Sequence, residues 1–462
     1  MEKYYVTTPI YYINDKPHVG HAYSTIAADV LARFHRQQGS KTFFLTGTDE
    51  NSQKTVQAAQ KANQSVEDYA NSQAAVWQET WKKLNISNDN FIRTTSEEHK
   101  KVVTDFYNKV LQSGDIYKGK YEGLYCTGHE AFLTESDLVD GFCPDHKTKP
   151  EKIVEENYFF KLSGYQEKLL KYFEDNPDFI SPEHRKHEIV NFVKSGLTDI
   201  SITRESVRWG IPAPNDSGQV IYVWFDALIN YISGAPKEFW PTDLHIVGKD
   251  ILRFHTVIWP AMLLSAGYLL PKKVFGHGFF TIDNVKISKS LGNSIDPVEL
   301  ANKYGNDTLR YYLLKEIPFG NDGDFSFHRL QEVYNSDLAN GLGNLVSRVA
   351  KLCENNNIQT KFLKIEEVEF YPELVSHLEK LEFNEGLALI QREISRLDNY
   401  LQDKKPWEGT TNQEEIYSIL VNGILQIAFN LKPFLPETSE KITEIYSAPE
   451  IKSTIPLFPR IN

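Results

Sequence analysis

The chain has 462 residues, which is too long for one hydrophobic core, so it should form roughly two to four structural units. Hydrophobic residues make up 41% and charged residues 24%, and no apolar run approaches the roughly 18 residues of a membrane span. The 50 basic and 62 acidic residues give a formal net charge of −12, which excludes attraction of the whole molecule to nucleic acid. Any RNA partner must therefore bind at a local patch.

The N-terminal segment and the cysteines indicate where the protein acts. Residues 1–10 lack both the basic and apolar regions of a signal peptide and the Arg/Ser-rich composition of a transit peptide. Cys126, Cys143 and Cys353 are too few and too scattered for a disulfide framework, which favours a reducing compartment. We therefore expect a cytoplasmic protein.

The first fifty residues predict a β-α-β unit. Residues 4–12 are β-branched and aromatic, residues 14–20 contain Pro and Gly, and Ile26, Val30 and Phe34 recur at helical spacing. Residues 42–46 then predict a buried strand. This order predicts a parallel sheet whose ligands bind at the carboxyl ends of its strands. The sequence contains no G-x-G-x-x-G dinucleotide motif.

The middle of the chain interrupts this pattern. From about residue 113 short elements follow one another, including residues 121–126 and 157–160, which indicates an insertion. Strand-like residues 221–225 and 244–247, with a helix through residues 260–264, indicate the second half of the same sheet. After residue 330 helical patterns dominate and predict an antiparallel bundle, with apolar residues at steps of four and three: Phe383, Leu387, Ile390, Ile394, Leu397 and Leu401.

The first motif with chemical potential is Pro-His-Val-Gly-His at residues 17–21, where the predicted strand gives way to a helix. A helix N-terminus attracts anions, and Gly20 would let a phosphate or a flat ring approach the backbone. The imidazoles of His18 and His21 can donate to phosphoryl oxygens as charge develops. Taken alone, the motif is also compatible with a surface loop that happens to hold two histidines.

The second motif is Lys-Ile-Ser-Lys-Ser at residues 286–290. The ammonium groups of Lys286 and Lys289, flanked by hydroxyl groups, suit a pyrophosphate leaving group. A solvated basic loop is the alternative, and it would be favoured if the motif stood by itself.

The third motif pairs cysteine with histidine twice, at Cys126 with His129 and at Cys143 with His146. Two thiolates and two imidazoles at this spacing suit tetrahedral Zn²⁺. Four protein ligands leave no open position, so the predicted site is structural. Two turns without metal are the alternative.

The first two motifs, in this order and separated by most of a split sheet, resemble the paired signatures of class I aminoacyl-tRNA synthetases. The resemblance narrows to the methionyl-tRNA synthetase family through residues 7–14, 46–50, 222–227 and 247–251, together with His255, Trp259 and Pro260. It covers nearly the whole chain. It implies an α/β fold with a Rossmann-like parallel-sheet catalytic domain, split by a zinc-knuckle insertion and followed by an all-α helical bundle.

The resemblance also implies domain boundaries and a reaction. The expected domains are a catalytic domain in two halves (1–112 and 218–270), a connective insertion with the zinc knuckle (113–217), a lysine-loop domain (271–330) and an anticodon-binding bundle (331–462). The expected reaction activates methionine with Mg-ATP and transfers it to the terminal ribose of tRNA(Met). Because the chain ends at Asn462 soon after the bundle, we expect a monomer.

The family's site residues map onto this sequence in three groups. The resemblance implies catalytic roles for His18, His21, Lys286 and Lys289. It implies that the same four residues bind ATP together with Gly20, Asp250 and Ser288. The implied methionine pocket comprises Ile10, Tyr12, Asp49, Trp224, Ala227, Leu228, Tyr231, Ile251 and His255. Methionine offers only a weak acceptor, so shape and aromatic closure must select it, while Asp49 can hold its ammonium group. Each aromatic of this set could equally be plain core.

Anticodon reading is implied for Asn344, Arg348 and Trp407. Asn and Arg can hydrogen-bond to unpaired base edges, and an exposed Trp can stack on a base. As isolated residues, each would more simply be ordinary helix surface or core.

The sequence departs from the family pattern at several positions. His129 stands at a family cysteine position, Ile287 at a methionine, and Leu228 at a proline common in some relatives. Asn51 and Ser52 stand where many relatives have His-Gly, so the resemblance implies no role for those two positions.

Two rival functions are a class I synthetase for cysteine or leucine, and a zinc-containing RNA-binding protein without catalysis. The methionine-type pocket argues against the first, and the intact histidines and lysines against the second.

Overall fold

The structure is a computed structural model that describes residues 2–126, 131–133, 135, 138–144, 147–282, 285–286, 294–358, 368–409 and 412–461. In these ranges no helix is long and apolar enough to cross a membrane. The chain forms two compact units. The first comprises residues 1–17 and 39–277, and the second comprises residues 18–38 and 278–462.

The strands of the first unit are β1 (Lys3–Tyr12), β2 (Lys41–Asp49), β3 (Asn90–Arg93), β4 (Ile116–Cys126), β5 (Ala131–Leu133), β6 (Glu151–Phe160), β7 (Ile180–Ser181), β8 (Ile200–Ser201), β9 (Thr203–Arg204), β10 (Pro212–Ala213), β11 (Asp216–Ile221), β12 (Leu244–Gly248) and β13 (Val274–His277). Six of these strands form a parallel sheet in the order β3-β2-β1-β12-β13-β7. The predicted parallel α/β sheet is therefore confirmed.

The register of this sheet brings several strand ends to one edge. Tyr12 pairs with Asp49, and Thr48 pairs with Arg93, so β1, β2 and β3 end side by side. Gly47 permits the close pairing of β2 with β3, because a Cβ atom there would lie 2.1 Å from the carbonyl oxygen of Ile92. The carboxyl edge is where ligands bind in open parallel sheets.

The region predicted as an insertion forms its own antiparallel sheet in the order β5-β4-β6-β8, in which β4 pairs along its length with β6. A smaller sheet has the order β10-β11-β9. One short strand inside the predicted insertion, β7, instead pairs with β13 of the parallel sheet. The insertion therefore contributes an edge strand to the main sheet.

The helices of the first unit are α2 (Gln53–Lys61), α3 (Val66–Lys83), α4 (Glu97–Gln112), α5 (Gln166–Asp175), α6 (Glu183–Lys194), α7 (Val223–Leu228), α8 (Asn230–Ser233) and α9 (Trp259–Ser265), with a π-helix at Phe254–Ile258 and 3₁₀ turns at Leu162–Tyr165, Lys237–Phe239 and Lys249–Ile251. The prediction of a strand over residues 221–225 was wrong beyond Ile221, because Val223 begins α7. Asp226, on α7, is fully buried among polar partners from α4 and from the loop after β2.

The second unit combines α1 (Val19–Gln37) with the C-terminal part of the chain. A buried ion pair contributes to this grouping: a guanidinium nitrogen of Arg310 lies 2.7 Å from Oδ2 of Asp29, and the same group donates to the carbonyl oxygens of Pro433 and Phe434. A buried charge is costly unless it is paired and hydrogen-bonded. Asp29 therefore ties α1 to the C-terminal helices.

The remaining elements of the second unit are β14 (Phe280–Ile282), β15 (Val285–Lys286), β16 (Gly323–Asp324), α10 (Pro297–Tyr304), α11 (Asn306–Lys315), α12 (Phe327–Val333), a π-helix at Tyr334–Gly343, α13 (Asn344–Asn355), α14 (Pro372–Glu379), α15 (Phe383–Lys404), a 3₁₀ turn at Pro406–Glu408, α16 (Gln413–Leu431) and α17 (Pro436–Ser447). The predicted apolar repeat lies on α15, and all six of its members are buried. The predicted helical C-terminal third is confirmed.

Candidate active site

A narrow cleft opens at the carboxyl edge of the parallel sheet. Strand β1 contributes Pro9, Ile10 and Tyr12, β2 ends at Asp49, and α7, α8 and the π-helix complete the wall with Trp224, Ala227, Leu228, Asn230, Tyr231 and His255. We call this the sheet-edge cleft. Its enclosed volume is about 30 Å³, room for about two water molecules.

Eight of the nine residues predicted for an amino-acid pocket line this cleft. Ile251 is the exception, and its carbonyl oxygen instead accepts a hydrogen bond from Nδ1 of His255, at 2.9 Å. Pro9 and Asn230 line the cleft but were not predicted. Both are immediate neighbours of predicted residues, so their chain position was the signal that could have found them.

The aromatic wall of the cleft is stacked. The Trp224 ring lies 3.9 Å from the Phe254 ring at an angle of 15°, and it meets the Tyr12 ring edge-on at 6.5 Å. Phe254 was also missed, because its contact with Trp224 depends on the turn between β12 and the π-helix. Within the described residues the Trp224 indole nitrogen has no hydrogen-bond partner.

His255 and Tyr231 form a buried pair at the base of the cleft, with 2.7 Å between Nε2 and the hydroxyl oxygen. The Ile251 carbonyl can only accept, so Nδ1 of His255 carries the proton and Nε2 accepts from Tyr231. Burial lowers the pKa of His255 from 6.5 to about 4, against the opposing effect of the Ile251 hydrogen bond. His255 is therefore neutral at physiological pH.

A second buried histidine supports this pair from behind. The ring of His245, on β12, lies 4.2 Å from the Tyr231 ring, and its Nδ1 is 2.7 Å from the Thr7 hydroxyl. Burial, and then the neighbouring His255, hold the pKa of His245 well below its usual value. The floor of the cleft is therefore polar but uncharged.

Helix α7 is anchored by a network of buried polar groups. Nε2 of His99, on α4, lies 3.2 Å from Oδ1 of Asp226, and the amide nitrogen of Asn51 donates to Oδ2 at 3.0 Å. The other ring nitrogen of His99 meets the Ser233 hydroxyl at 2.7 Å. Burial raises the pKa of Asp226, and the hydrogen bonds from His99 and Asn51 oppose the rise.

The order Ser233, His99, Asp226 has the connectivity of a hydrolytic triad, but its members are buried, with exposed fractions of 8%, 0% and 0%. A nucleophile that a substrate cannot reach does not support hydrolysis. The network instead connects α4, the loop after Asp49 and the helix that carries Trp224. Sequence reasoning missed it because His99 and Asp226 are 127 positions apart.

The two histidines at residues 18 and 21 form a capping box at the start of α1. Nδ1 of His18 accepts from the Gly20 amide, and Nδ1 of His21 accepts from the His18 amide, each at 3.1 Å. The rings stack with centroids 3.7 Å apart. Removal from water, and then the His18 ring, hold the pKa of His21 well below its usual value. In a neutral ring whose Nδ1 accepts, Nε2 carries the proton.

The structure places the first motif beside the segment that follows the second. The Val19 amide, at the N-terminus of α1, donates to the carbonyl oxygen of Ile295 at 3.0 Å. Residues 286–290, which we call the lysine motif, are preceded by strand β14. The Phe280 ring of β14 lies 4.7 Å from the Tyr23 ring of α1. Both flanks of the lysine motif therefore contact the helix that begins with the histidines.

The lysine motif itself is described only in part. The backbone of Lys286 pairs with Thr281 in the β14–β15 hairpin, whereas Ser288 and Lys289 lie outside the described residues. Asp250, the remaining predicted ATP contact, is exposed on the 3₁₀ turn after β12 in the first unit.

Of the four predicted metal ligands, Cys126 and Cys143 are described and His129 and His146 lie outside the described residues. Both thiols are buried, Cys126 at the end of β4 and Cys143 in a turn closed by its own carbonyl and the Lys147 amide. Among the described residues no cluster of three or more potential metal ligands occurs. Two buried thiols in one insertion fit a thiolate site, and the rest of the predicted set remains a prediction.

The predicted base readers lie on or just after the bundle helices. Asn344 is exposed at the start of α13, and a guanidinium nitrogen of Arg348 one turn later lies 2.9 Å from Asp398 of α15. Trp407, on the 3₁₀ turn after α15, is 46% exposed. All three are accessible to a partner.

Comparisons with known proteins agree with this architecture. A family model described as "tRNA synthetases class I (M)" matches residues 4–153 and 146–350. The methionine–tRNA ligase of Caldanaerobacter subterraneus subsp. tengcongensis is 45% identical over 96% of this chain and 73% of the relative. That of Thermotoga maritima is 44% identical over 95% of this chain and 74% of the relative.

A solved structure of Mycobacterium tuberculosis methionyl-tRNA synthetase in complex with methionyl-adenylate is 36% identical, covers 100% of both chains and superposes with a TM-score of 0.91. The fold and the two signature motifs thus define a class I aminoacyl-tRNA synthetase. Such enzymes are ligases that join an amino acid to tRNA at the expense of ATP. Within that class, the chain belongs to the methionyl-tRNA synthetase family. The names of these relatives give methionine and tRNA as what they join, and the solved neighbour holds methionyl-adenylate.

Proposed function

We propose that the sheet-edge cleft binds the methionine substrate. The observation that supports this most directly is that eight predicted pocket residues, drawn from distant parts of the chain, line a single cleft at the carboxyl ends of β1 and β2. Asp49 is 3% exposed and ends β2 in that wall. A carboxylate there would pair with the ammonium group of the substrate.

Selectivity for the thioether would come from shape and from a neutral floor. His255 and Tyr231 satisfy each other by a hydrogen bond, so neither demands a polar partner from the substrate. A side chain that placed a stronger polar group against this floor would be desolvated there without a new partner, which costs roughly 1–3 kcal/mol. Methionine, whose sulfur is only a weak acceptor, escapes this cost.

The cleft must widen to admit methionine. Its volume of about 30 Å³ is smaller than the substrate side chain requires, and the cleft residue Trp224 stacks on Phe254. We infer that this pair shifts on binding and then covers the side chain.

We propose that the start of α1 binds the phosphate groups of ATP. The Nε2 protons of His18 and His21 can donate to phosphoryl oxygens at the positive end of the α1 dipole. Neutral rings suit this role, because they donate without needing a carboxylate partner. Lys286, Ser288 and Lys289 would hold the pyrophosphate, Asp250 the ribose, and Gly20 leaves room for the nucleotide.

The proposed activation step is an in-line attack of a methionine carboxylate oxygen on the α-phosphorus of ATP. The bond from the α-phosphorus to the bridging oxygen breaks, and pyrophosphate leaves with the electron pair. Mg²⁺ bound with ATP would screen the phosphate charge. The protein supplies positioning and electrostatic stabilisation through the two histidines and two lysines.

We also propose a structural Zn²⁺ held by Cys126, His129, Cys143 and His146. The support is the burial of both thiols within the insertion. The metal would tie β4 to the turn at Cys143, and it would take no part in the chemical step.

We place the reaction in the cytoplasm, where tRNA and ATP are available.

In the bundle we propose that Asn344, Arg348 and Trp407 read the anticodon. Their exposure supports this, as does the ion pair with Asp398, which orients the Arg348 guanidinium. An exposed indole stacks on any base, while the polar side chains select by hydrogen bonds.

Methionine-dependent exchange of pyrophosphate into ATP tests the methionine assignment. Asp49→Asn should raise the KM for methionine by about one to two orders of magnitude, since a charge-assisted hydrogen bond contributes about 1.5–3 kcal/mol. Asp105→Asn, a change of the same chemistry at an exposed position of α4, is the matched control. An unchanged KM in Asp49→Asn, or exchange supported by cysteine or leucine as well as by methionine, would contradict the assignment.

A further inference from the structure

A second cavity, of about 300 Å³, lies at the same edge of the parallel sheet. It is formed by the chain after β2 and β3, by one face of α3, by the first turn of α4 and by the segment before β10, and its walls include Asn51, Asn71, Arg93, Thr95, Lys100 and Trp209. We call it the edge cavity. Its volume is at the lower end of the range for small-ligand sites.

The edge cavity and the sheet-edge cleft share one segment of chain. Asp49, the last residue of β2, lines the cleft, and Asn51, two residues later, lines the edge cavity. The Asn51 amide also donates to Asp226 on α7, which carries the cleft residue Trp224. Because β2 lies between β1 and β3, the two cavities are neighbours along the sheet edge.

A fixed cation forms one wall of the edge cavity. The Arg93 guanidinium makes two hydrogen bonds to the buried Glu50 carboxylate, at 2.8 and 2.9 Å, and a third to the Asn71 side chain at 2.8 Å. Thr48 donates to the same carboxylate. The Arg93 side chain nevertheless remains 28% exposed. Its position is therefore set before any ligand arrives.

A fixed aromatic ring forms another wall. The Trp209 indole nitrogen donates to the carbonyl oxygen of Glu50 at 2.8 Å, which orients the half-buried ring. Lys100 adds a second cation; it pairs with the exposed carboxylate of Glu97 and is itself 39% exposed. An exposed ion pair of this kind exchanges partners at little cost.

The side chains that line the edge cavity suit a single nucleotide better than a free polyphosphate. An indole stacks on a base, amides and hydroxyls meet base edges and ribose, and two cations meet a phosphate. Glu67 and Glu97 also line the cavity. These two negative charges would repel ATP or pyrophosphate, which carry several negative charges. They would repel a nucleotide less when its only phosphate is a diester with a single negative charge.

We propose that the edge cavity receives the 3′-terminal adenosine of tRNA, with its base on Trp209 and its phosphate near Arg93 and Lys100. The inference rests on the proposed methionine site in the neighbouring cleft. A hydroxyl oxygen of the terminal ribose then attacks the carbonyl carbon of methionyl-adenylate. The new ester bond forms as the bond from that carbon to the phosphate oxygen breaks, and AMP leaves with the electron pair while its phosphate takes the hydroxyl proton.

The test separates the two chemical steps in the purified 462-residue chain. Trp209→Ala should slow single-turnover transfer of methionine from enzyme-bound adenylate to tRNA about ten- to hundredfold, as expected for the loss of one stacking platform. Pyrophosphate exchange should stay within about twofold, since the indole lies outside the cleft. Trp209→Phe, which keeps a stacking ring, should recover most of the transfer rate. Lys100→Ala should slow transfer as well, whereas Lys101→Ala, at an exposed position outside the cavity, should not.

A double cycle with the tRNA makes the result specific. Removing the terminal adenosine from tRNA should weaken its binding to the native chain, and Trp209→Ala should weaken binding of intact tRNA by a similar factor. The two changes together should do no more than either alone, because both remove the same contact. Independent, multiplicative effects would overturn the inference, as would normal transfer in Trp209→Ala. Loss of methionine-dependent exchange in the native chain would instead refute the methionine site itself.

Discussion

Nε2 of His99 lies 3.2 Å from Oδ1 of Asp226, and both side chains are completely buried. The pair joins α4 to α7, and α7 carries Trp224 and Ala227 into the sheet-edge cleft. Asn51 binds the other carboxylate oxygen and lines the edge cavity. One buried carboxylate is therefore tied to both proposed substrate sites.

We expect His99→Ala to lower the free energy of unfolding by about 1–3 kcal/mol, because it leaves a buried carboxylate oxygen without its donor. The KM for methionine should rise by about tenfold as α7 loses its anchor. His99→Gln, which can still donate to Asp226, should recover part of both losses. His187→Ala, at a histidine whose side chain is 71% exposed on α6, is the control. A lower stability with an unchanged KM would show that the pair does not position the cleft.

The second prediction concerns the pH dependence of stability. Burial lowers the pKa of His255 from 6.5 to about 4, so its contribution to stability is complete above pH 6.5. As the pH falls from 6.5 to 4, the unfolded chain takes up a proton that the folded chain refuses, which removes about 3 kcal/mol. His255→Gln cannot take up this proton and should lose about 3 kcal/mol less over the same interval.

Denaturant unfolding at several pH values, followed by near-ultraviolet circular dichroism, measures this difference. His21, His35 and His245 also have lowered pKa values because of burial, and they remain in the variant. The difference between the two proteins therefore reports His255 together with its effect on the neighbouring His245. Parallel pH profiles would refute its neutral, buried state.

Gly20 leaves little space for a side chain beside the His18 ring. A Cβ atom at Gly20 would lie 3.0 Å from Cε1 and 3.1 Å from Nδ1 of the His18 ring. Gly20→Ala should therefore displace the imidazole and slow pyrophosphate exchange by about ten- to hundredfold. Alanine is the better helix former by about 0.8–1 kcal/mol, so stability should not fall with activity.

Gly164→Ala is the matched control for this change, since a Cβ atom there meets nothing within 4 Å. It should leave exchange unchanged. Full activity in Gly20→Ala would mean that the orientation of the His18 ring does not matter for phosphate binding.

The fourth prediction concerns the bundle. Trp407→Ala should raise the KM for tRNA by about one to two orders of magnitude, since one base-stacking contact contributes about 1–3 kcal/mol, and it should leave pyrophosphate exchange unchanged. Arg348→Ala should act on the same step. Phe327→Ala removes another aromatic ring of the second unit, 50% exposed, and should affect neither reaction. If Trp407→Ala slows both reactions in proportion, the indole is a packing element.

Local patterns were sufficient for much of the architecture. The opening β-α-β unit and the apolar face of α15 follow from residue patterns, because burial of one face imposes a period of about 3.6 on helices and β-branched and aromatic residues favour strands. The pocket residues came from motif resemblance, and their arrangement around one cleft agrees with it. The roles of those residues stay predictions.

Other features required the folded chain. Residues 223–225 belong to a segment that looks like a strand by composition, yet they begin α7, whose Asp226 finds its partners on α4 and in the loop after β2. Helix α1 belongs by sequence to the β-α-β opening but clusters with the C-terminal helices through Asp29 and Arg310. The sequence alone determined the motifs and most of the local elements, since these depend on neighbouring residues. Only the tertiary structure decided which buried polar groups meet, because a desolvated charge is satisfied by whichever partner the fold brings to it, at any distance along the chain.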